Sequence, residues 1–237
     1  MTNGLKICLS ILNLYLYPRL CSPEDIPDID DFSKIVLCRP RCKANNRYYG
    51  GLVLYYKTIV TRGLRFLKHA NSDYIWVELQ KDFFGLDAPI YICFAYIPPE
   101  SSPFYKVRGE DTLSFIESDI MHYSSQGQVM IIGDLNARTS NKKDFIPQDS
   151  EIDVSDSLYV IDREMITRYN EDNKTCPRGD RVLDLCISSH LRLLNGRTAG
   201  DSLGRFTCHN VMGSSVIDYC IASEALLHKI AFFSVGV

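Results

Sequence analysis

Hydrophobic residues along this chain gather in short runs of five to nine positions, broken by glycine, proline and charge. Such runs are the mark of strands rather than long helices. Strands are expected at the N-terminal LKICLSILNL and at SKIVLC (33–38), LVLYYKTIV (52–60) and YIWVELQ (74–80). In the last of these, Ile75, Val77 and Leu79 alternate with Tyr74, Trp76 and Glu78, the two-residue period of a half-buried strand. PIYICFAYIPP begins a nearly continuous apolar run at Pro89, which Pro98 and Pro99 end. The spacing of Leu113, Ile116 and Ile120 predicts a helix over 110–123, and QVMII (128–132) a further buried strand.

Beyond residue 138 the pattern changes. Residues 139–178 are polar with little periodicity and read as a long surface excursion. DRVLDLCISSH (180–190) predicts an amphipathic helix with Leu183, Cys186 and Ile187 on one face. LRLLNGRTAGD, GRFTCHN and SSVIDYCIA read as three short strands between glycine turns. SEALLHKI reads as a helix capped by Ser223, and AFFSVGV as a last strand. Strands with helices between them predict an α/β fold, two sheets packed face to face with helices outside, in one domain over 1–237.

Composition narrows the class. A hydrophobic content of 46% and a charged content of 23% are those of a globular protein. The net charge of -3 gives no overall attraction to a polyanion, so nucleic acid would need a local basic patch or a cation. The nine cysteines are scattered, several of them inside apolar runs, as buried thiols of a reducing compartment are. Cys38 and Cys42 lack a second pair at zinc-ligand spacing. The N-terminal run is interrupted by Ser10 and Asn13 and is too short to span a membrane. The expectation is an intracellular protein, nuclear or cytoplasmic, not secreted and without a membrane partner.

Four residues carry candidate chemistry. Asp134 and Asn136 follow directly on the buried run VMIIG, and a carboxylate at such an edge is costly unless solvated, paired or bound to a cation. Two residues apart in extended chain, they would point to one side and supply a base and a neutral hydrogen-bonding group. The same hexapeptide also suits a turn in which both merely cap backbone amides. Asp218 sits within an apolar run on the face of Val216 and Cys220 and calls for a partner, unless that face is solvated. Tyr96 ends a strand before a proline break, where its hydroxyl either enters a cleft or packs in the core. The stretch CRPRCKANNRYYGG offers Arg39, Arg41, Lys43 and Arg47 beside Tyr48 and Tyr49, a set suited to phosphates and bases or simply a solvated basic turn.

MIIGDLNAR, FAYIPP and GSSVIDY, in these positions, resemble the endonuclease/exonuclease/phosphatase superfamily of deoxyribonuclease I-like enzymes. The stretch from LDLCISSH to AFFSV is similar to endonuclease domains of non-LTR (LINE-type) retrotransposons and host proteins derived from them. The resemblance covers roughly residues 22 to 237. It implies a two-sheet α/β sandwich that cuts a phosphodiester with Mg²⁺, with DNA as the partner. It further implies that Asp134 activates the attacking water and that Asn136 holds the scissile phosphate. Tyr96 would bond a phosphate oxygen, and Asp218 would orient a histidine.

Two parts of the family pattern do not occur in this sequence. There is no Q-E-T strand end, whose glutamate would hold the metal; Glu24, in SPED, is the nearest acid, and Asn13 stands nearest the family's first asparagine. There is no S-D-H run after AFFSVGV either, and His209 and His228 lie outside any matching motif. The expectation is therefore an incomplete domain. Its function is either a Mg²⁺-dependent phosphodiester hydrolase, a DNA endonuclease first and a phosphatase second, or a nuclease-fold module that binds nucleic acid without turnover.

Overall fold

The computed structural model describes the backbone of residues 12–17, and backbone and side chains of 26–39, 51–67, 72–100, 102, 111–146, 166–211 and 213–234. These group into two compact units, one of residues 1–136 and 217–220, the other of 137–216 and 221–237.

The first unit is a sandwich. One sheet has the antiparallel order β1-β3-β2, from Leu12–Tyr17, Phe32–Cys38 and Gly51–Lys57. Leu54 of the central strand β3 lies opposite Leu14 of β1 and Ile35 of β2. Val53 and Tyr55 pack with Ile26, Phe32, Val36 and Cys38 on one face. Leu52 and Leu54 take the other and are wholly buried, so β3 is apolar on both sides. The expected strand over 52–60 ends early, because Thr58–Gly63 coils into a tight helical turn.

The second sheet of this unit runs β4-β5-β6-β7-β11, from Leu64–Phe66, Tyr74–Leu79, Ile90–Tyr96, Gln128–Asp134 and the start of β11 at Asp218. β6 is the strand that comes against β3. β5 corrects the expectation of a half-buried strand: all six residues are buried. Two of its polar side chains find partners on neighbouring elements, since Trp76 Nε1 donates to Asp119 Oδ2 at 2.9 Å and Arg65 Nε donates to Glu78 Oε2 at 2.6 Å.

β6 and β7 run parallel, which requires a crossover, and helix α1 (Thr112–Ser124) supplies it. Asp111 caps α1 by accepting from the Leu113 amide at 3.2 Å. Leu113, Ile116 and Ile120 are buried, as their spacing predicts, and each such side chain contributes about 1.5–3 kcal/mol of hydrophobic stabilisation.

The second unit is short-stranded and rich in ion pairs. Helix α2 spans Pro177–Ser188 and starts three residues earlier than expected, because Pro177 presets the first turn and Cys176 Sγ accepts from the Gly179 amide. Its buried face is Val182, Leu183, Leu185 and Cys186, with Ile187 only half-buried. β8 (Leu191–Leu193) pairs antiparallel with the second half of β11, Ile221 to Ser223. β9 (Cys208–Asn210) and β10 (Gly213–Ser215) form a hairpin, so the expected strand SSVIDYCIA is two strands with a break at 216–217. Glu224–Lys229 is a 3-10 helix whose flanking Ser223 makes no side-chain cap, and residues 231–234 form no strand.

The expected surface excursion is also corrected where it is described. Thr139, Asp144, Arg168, Asn170 and Asp172 are buried. Asp144 takes both terminal nitrogens of Arg197, at 2.6 and 2.8 Å, and Asp172 takes Arg138 through Nε at 2.7 Å and Nη2 at 2.6 Å. Bidentate pairs of this kind let charge enter a core that apolar patterning does not reveal.

Candidate active site

The candidate residues stand at one edge of the second sheet of the first unit. Tyr96 and Asp134 are register partners at the ends of the parallel strands β6 and β7. The Ile97 amide donates to the Asp134 carbonyl at 2.8 Å, carrying the pairing one residue further. Gly133 makes the exit possible. Its φ is 147°, and a Cβ there would fall 1.9 Å from the Ala95 carbonyl oxygen. Only a residue without a side chain lets β7 run so close to β6 at this point.

Asp134 and Asn136 are brought together by a turn, not by the extended geometry expected from sequence. Asp134 Oδ1 accepts from the Asn136 amide at 2.8 Å, and Asn136 adopts φ 46°. Asparagine is among the residues that tolerate this left-handed conformation. Its Nδ2 then donates to the Ile97 carbonyl at 3.0 Å. Leu135 and Ala137 are buried, which anchors the turn from below. The hexapeptide is a capping turn, and it lies at the end of β7.

Asp218 joins the same edge. The Leu135 amide, one residue past β7, donates to the Ile217 carbonyl at 3.0 Å, immediately before β11. Asp218 opens β11 rather than lying within an apolar strand, and it is half-buried. The ends of β6 and β7 and the start of β11 thus place Tyr96, Asp134, Asn136 and Asp218 in one neighbourhood.

One pair escaped the sequence reading. Arg39, assigned there to a solvent-facing basic loop, is 2% exposed and donates from Nε to Asp73 Oδ1 at 2.8 Å. Its guanidinium lies 4.6 Å over the Tyr96 ring. A solitary acid opening the apolar run YIWVEL was the one signal that Asp73 needs a cation. Arg41, Lys43, Arg47, Tyr48, Tyr49 and Glu24 lie outside the described residues. So does the side chain of Asn13, whose backbone pairs with Tyr55 in β1. His209 and His228 are exposed, and His209 Nδ1 lies 2.8 Å from Ser214 Oγ within the second unit.

Among the described residues no group of three His, Cys, Asp or Glu side chains converges on a point, so they form no cage that holds a cation by protein ligands alone. The edge does offer the carboxylates of Asp134 and Asp218. Carboxylate oxygens are the ligand type that a hard cation such as Mg²⁺ takes. No helix among the described residues is long and apolar enough to cross a membrane.

No family model matches the chain, and no curated protein matches it in sequence. Solved structures do match in shape. The catalytic domain of Xenopus laevis APE2 aligns with 95% of this chain and 79% of its own, at 12% identity and a TM-score of 0.54. A point variant of the 3' phosphatase NExo from Neisseria, bound to product DNA hairpin, aligns over 94% and 81% at 9% identity and 0.53. The endonuclease domain of TRAS1, a telomere-specific non-LTR retrotransposon, aligns over 96% and 81% at 11% identity and 0.49. Likeness at these identities is one of fold, and the fold of this chain is that of the deoxyribonuclease I-like endonuclease/exonuclease/phosphatase proteins.

Proposed function

We propose that the chain is a Mg²⁺-dependent phosphodiester hydrolase acting on DNA, an endonuclease domain of retrotransposon origin. The observation that carries this reading is the register of Tyr96 with Asp134, with Asn136 and Asp218 added at the same sheet edge. The Asn136 amide fixes the orientation of the Asp134 carboxylate, which takes a proton from the attacking water. Asn136 and the Tyr96 hydroxyl hold phosphate oxygens, so the reaction gains from positioning and from donors aimed at growing charge. The chemistry Mg²⁺ would supply is neutralisation of charge on those oxygens, and Asp134 and Asp218 are the carboxylates that would hold it. The fold is shared with a phosphatase solved on a DNA hairpin and with the APE2 catalytic domain, which supports this chemistry.

The test is nicking of supercoiled plasmid. Nicking is expected with Mg²⁺, is lost in EDTA, and falls by about 100-fold or more in Asp134→Ala. Nicking that survives either change overturns the assignment. Salt-dependent DNA binding with no nicking under any divalent ion points instead to a non-catalytic module.

A further inference from the structure

Tyr96 lies at the end of a strand, where backbone pairing alone leaves a residue poorly fixed, yet three of its groups are held by one buried ion pair. Its amide donates to the Asp73 carbonyl at 2.7 Å. Its carbonyl accepts from Arg39 Nη2 at 3.2 Å. Its ring lies under the Arg39 guanidinium, 4.6 Å from centroid to Cζ. Asp73 is itself fixed, because Oδ1 accepts from Arg39 Nε at 2.8 Å and Oδ2 accepts from Thr112 Oγ1 at 2.9 Å. Both charged side chains are only 3% exposed.

A buried ion pair gives little net stability against an apolar replacement, since desolvation offsets the attraction. What it does supply is direction. A planar guanidinium bonded at Nε and Nη2 has one orientation, and a ring stacked on it has lost its freedom to tilt. Thr112 is the first residue of α1, so the helix that links β6 to β7 also sets the position of Asp73.

We propose that Arg39 and Asp73 are positioning residues for Tyr96. They hold its ring so that the hydroxyl meets a phosphate oxygen without reorganising. The inference rests on the proposed hydrolase function for the phosphate, but not for the ordering of the ring.

The experiment places 3-fluorotyrosine at position 96 and records its ¹⁹F resonance in the full chain. The parent, Arg39→Lys and Thr112→Val are compared, each checked for folding by circular dichroism. One narrow resonance is expected in the parent and a shifted or broadened one in Arg39→Lys, with Thr112→Val between. In single-turnover nicking, Arg39→Lys is expected to slow the step about 10- to 100-fold, as small misplacements do, with DNA affinity unchanged. In a Tyr96→Phe background the same substitution should cost nothing more. Equal losses in both backgrounds, or a ¹⁹F resonance indifferent to Arg39→Lys in a folded chain, overturn the proposal. A parent that does not nick defeats the hydrolase reading alone, and the ¹⁹F comparison still decides the clamp.

Discussion

Asn136 donates from Nδ2 to the carbonyl of Ile97 at 3.0 Å while holding φ at 46°, so one side chain closes the turn after β7 onto the end of β6. Glycine accepts this φ without strain but lacks the amide, which separates the shape of the turn from its chemistry. Asn136→Gly is expected to lose about 1 kcal/mol of stability, the worth of one hydrogen bond. Asn136→Val adds about 1–2 kcal/mol of left-handed strain to that loss. Plasmid nicking should fall by about 100-fold in both, since both lack the phosphate donor. Retained nicking in the glycine variant would reduce Asn136 to a turn former.

Gly133 allows a stringent test of how the edge is built. In Gly133→Ala the new methyl meets the Ala95 carbonyl 1.9 Å away, and neither backbone can yield without breaking the β6–β7 pairing. A loss of about 3 kcal/mol is expected, at the upper end for overpacking, together with loss of nicking. A urea midpoint equal to that of the parent would contradict the close approach.

Asp172 gives the second unit a defined acid response. Burial pushes its carboxyl up, but the hydrogen bonds from Arg138 and from the Lys174 and Val216 amides, together with the Arg138 charge, outweigh this. The net effect holds it below the ordinary carboxylate range. Above a pH of about 4 the group is ionised in folded and unfolded chains alike, and its contribution is fully present. As pH falls below that, the unfolded chain takes the proton first, and the contribution is lost through the lower folded value. Asp172→Asn should cost about 3 kcal/mol at neutral pH, much of it from leaving Arg138 unpaired, and should flatten stability against pH below about 4. The same acid slope in parent and variant would refute this.

Three buried thiols predict the opposite limb. Burial pushes the Cys220 thiol up to about 12, and Cys93 and Cys186 are raised as well, by burial first and then by the nearby Asp119 and Asp144 respectively. An unfolded chain releases these protons from a pH of about 8.5, whereas the folded chain keeps them, so stability should fall as pH rises beyond that. At pH 8 iodoacetamide should modify the half-exposed Cys208 and spare Cys93, Cys186 and Cys220 until the chain unfolds. Peptide-like labelling rates at Cys220 in the native chain would show that its strand is not closed.

The parts legible in the sequence were those written in apolar spacing. Leu113, Ile116 and Ile120 announce α1, and the run into Gly133 announces β7 and the polar pair after it. The α/β sandwich followed from such runs. What stayed hidden was polar and non-local. Arg39 looks like part of a basic loop because nothing near it in sequence shows that Asp73, 34 residues on, will capture it. The stretch from Thr139 looks like surface because its core is charged, with Asp144 answered by Arg197 and Asp172 by Arg138. The alternation in β5 suggested an exposed face because Glu78 and the Trp76 indole find partners on neighbouring elements. Asp134 and Asn136 were found at the right strand end, but the left-handed turn that joins them was not.

Trp76 is the only tryptophan in the chain, and it sits fully buried in β5 with its ring 4.8 Å from that of Tyr123. Its fluorescence is therefore a reporter of the first unit alone, set apart from water in the folded chain and excited through a tyrosine neighbour. An emission change on unfolding dates the opening of the sheet that carries Tyr96 and Asp134. Reaction of Cys186, buried on α2, with a thiol reagent dates the second unit. The sequence has thus supplied a spectroscopic means of asking whether the two halves come apart together or in turn.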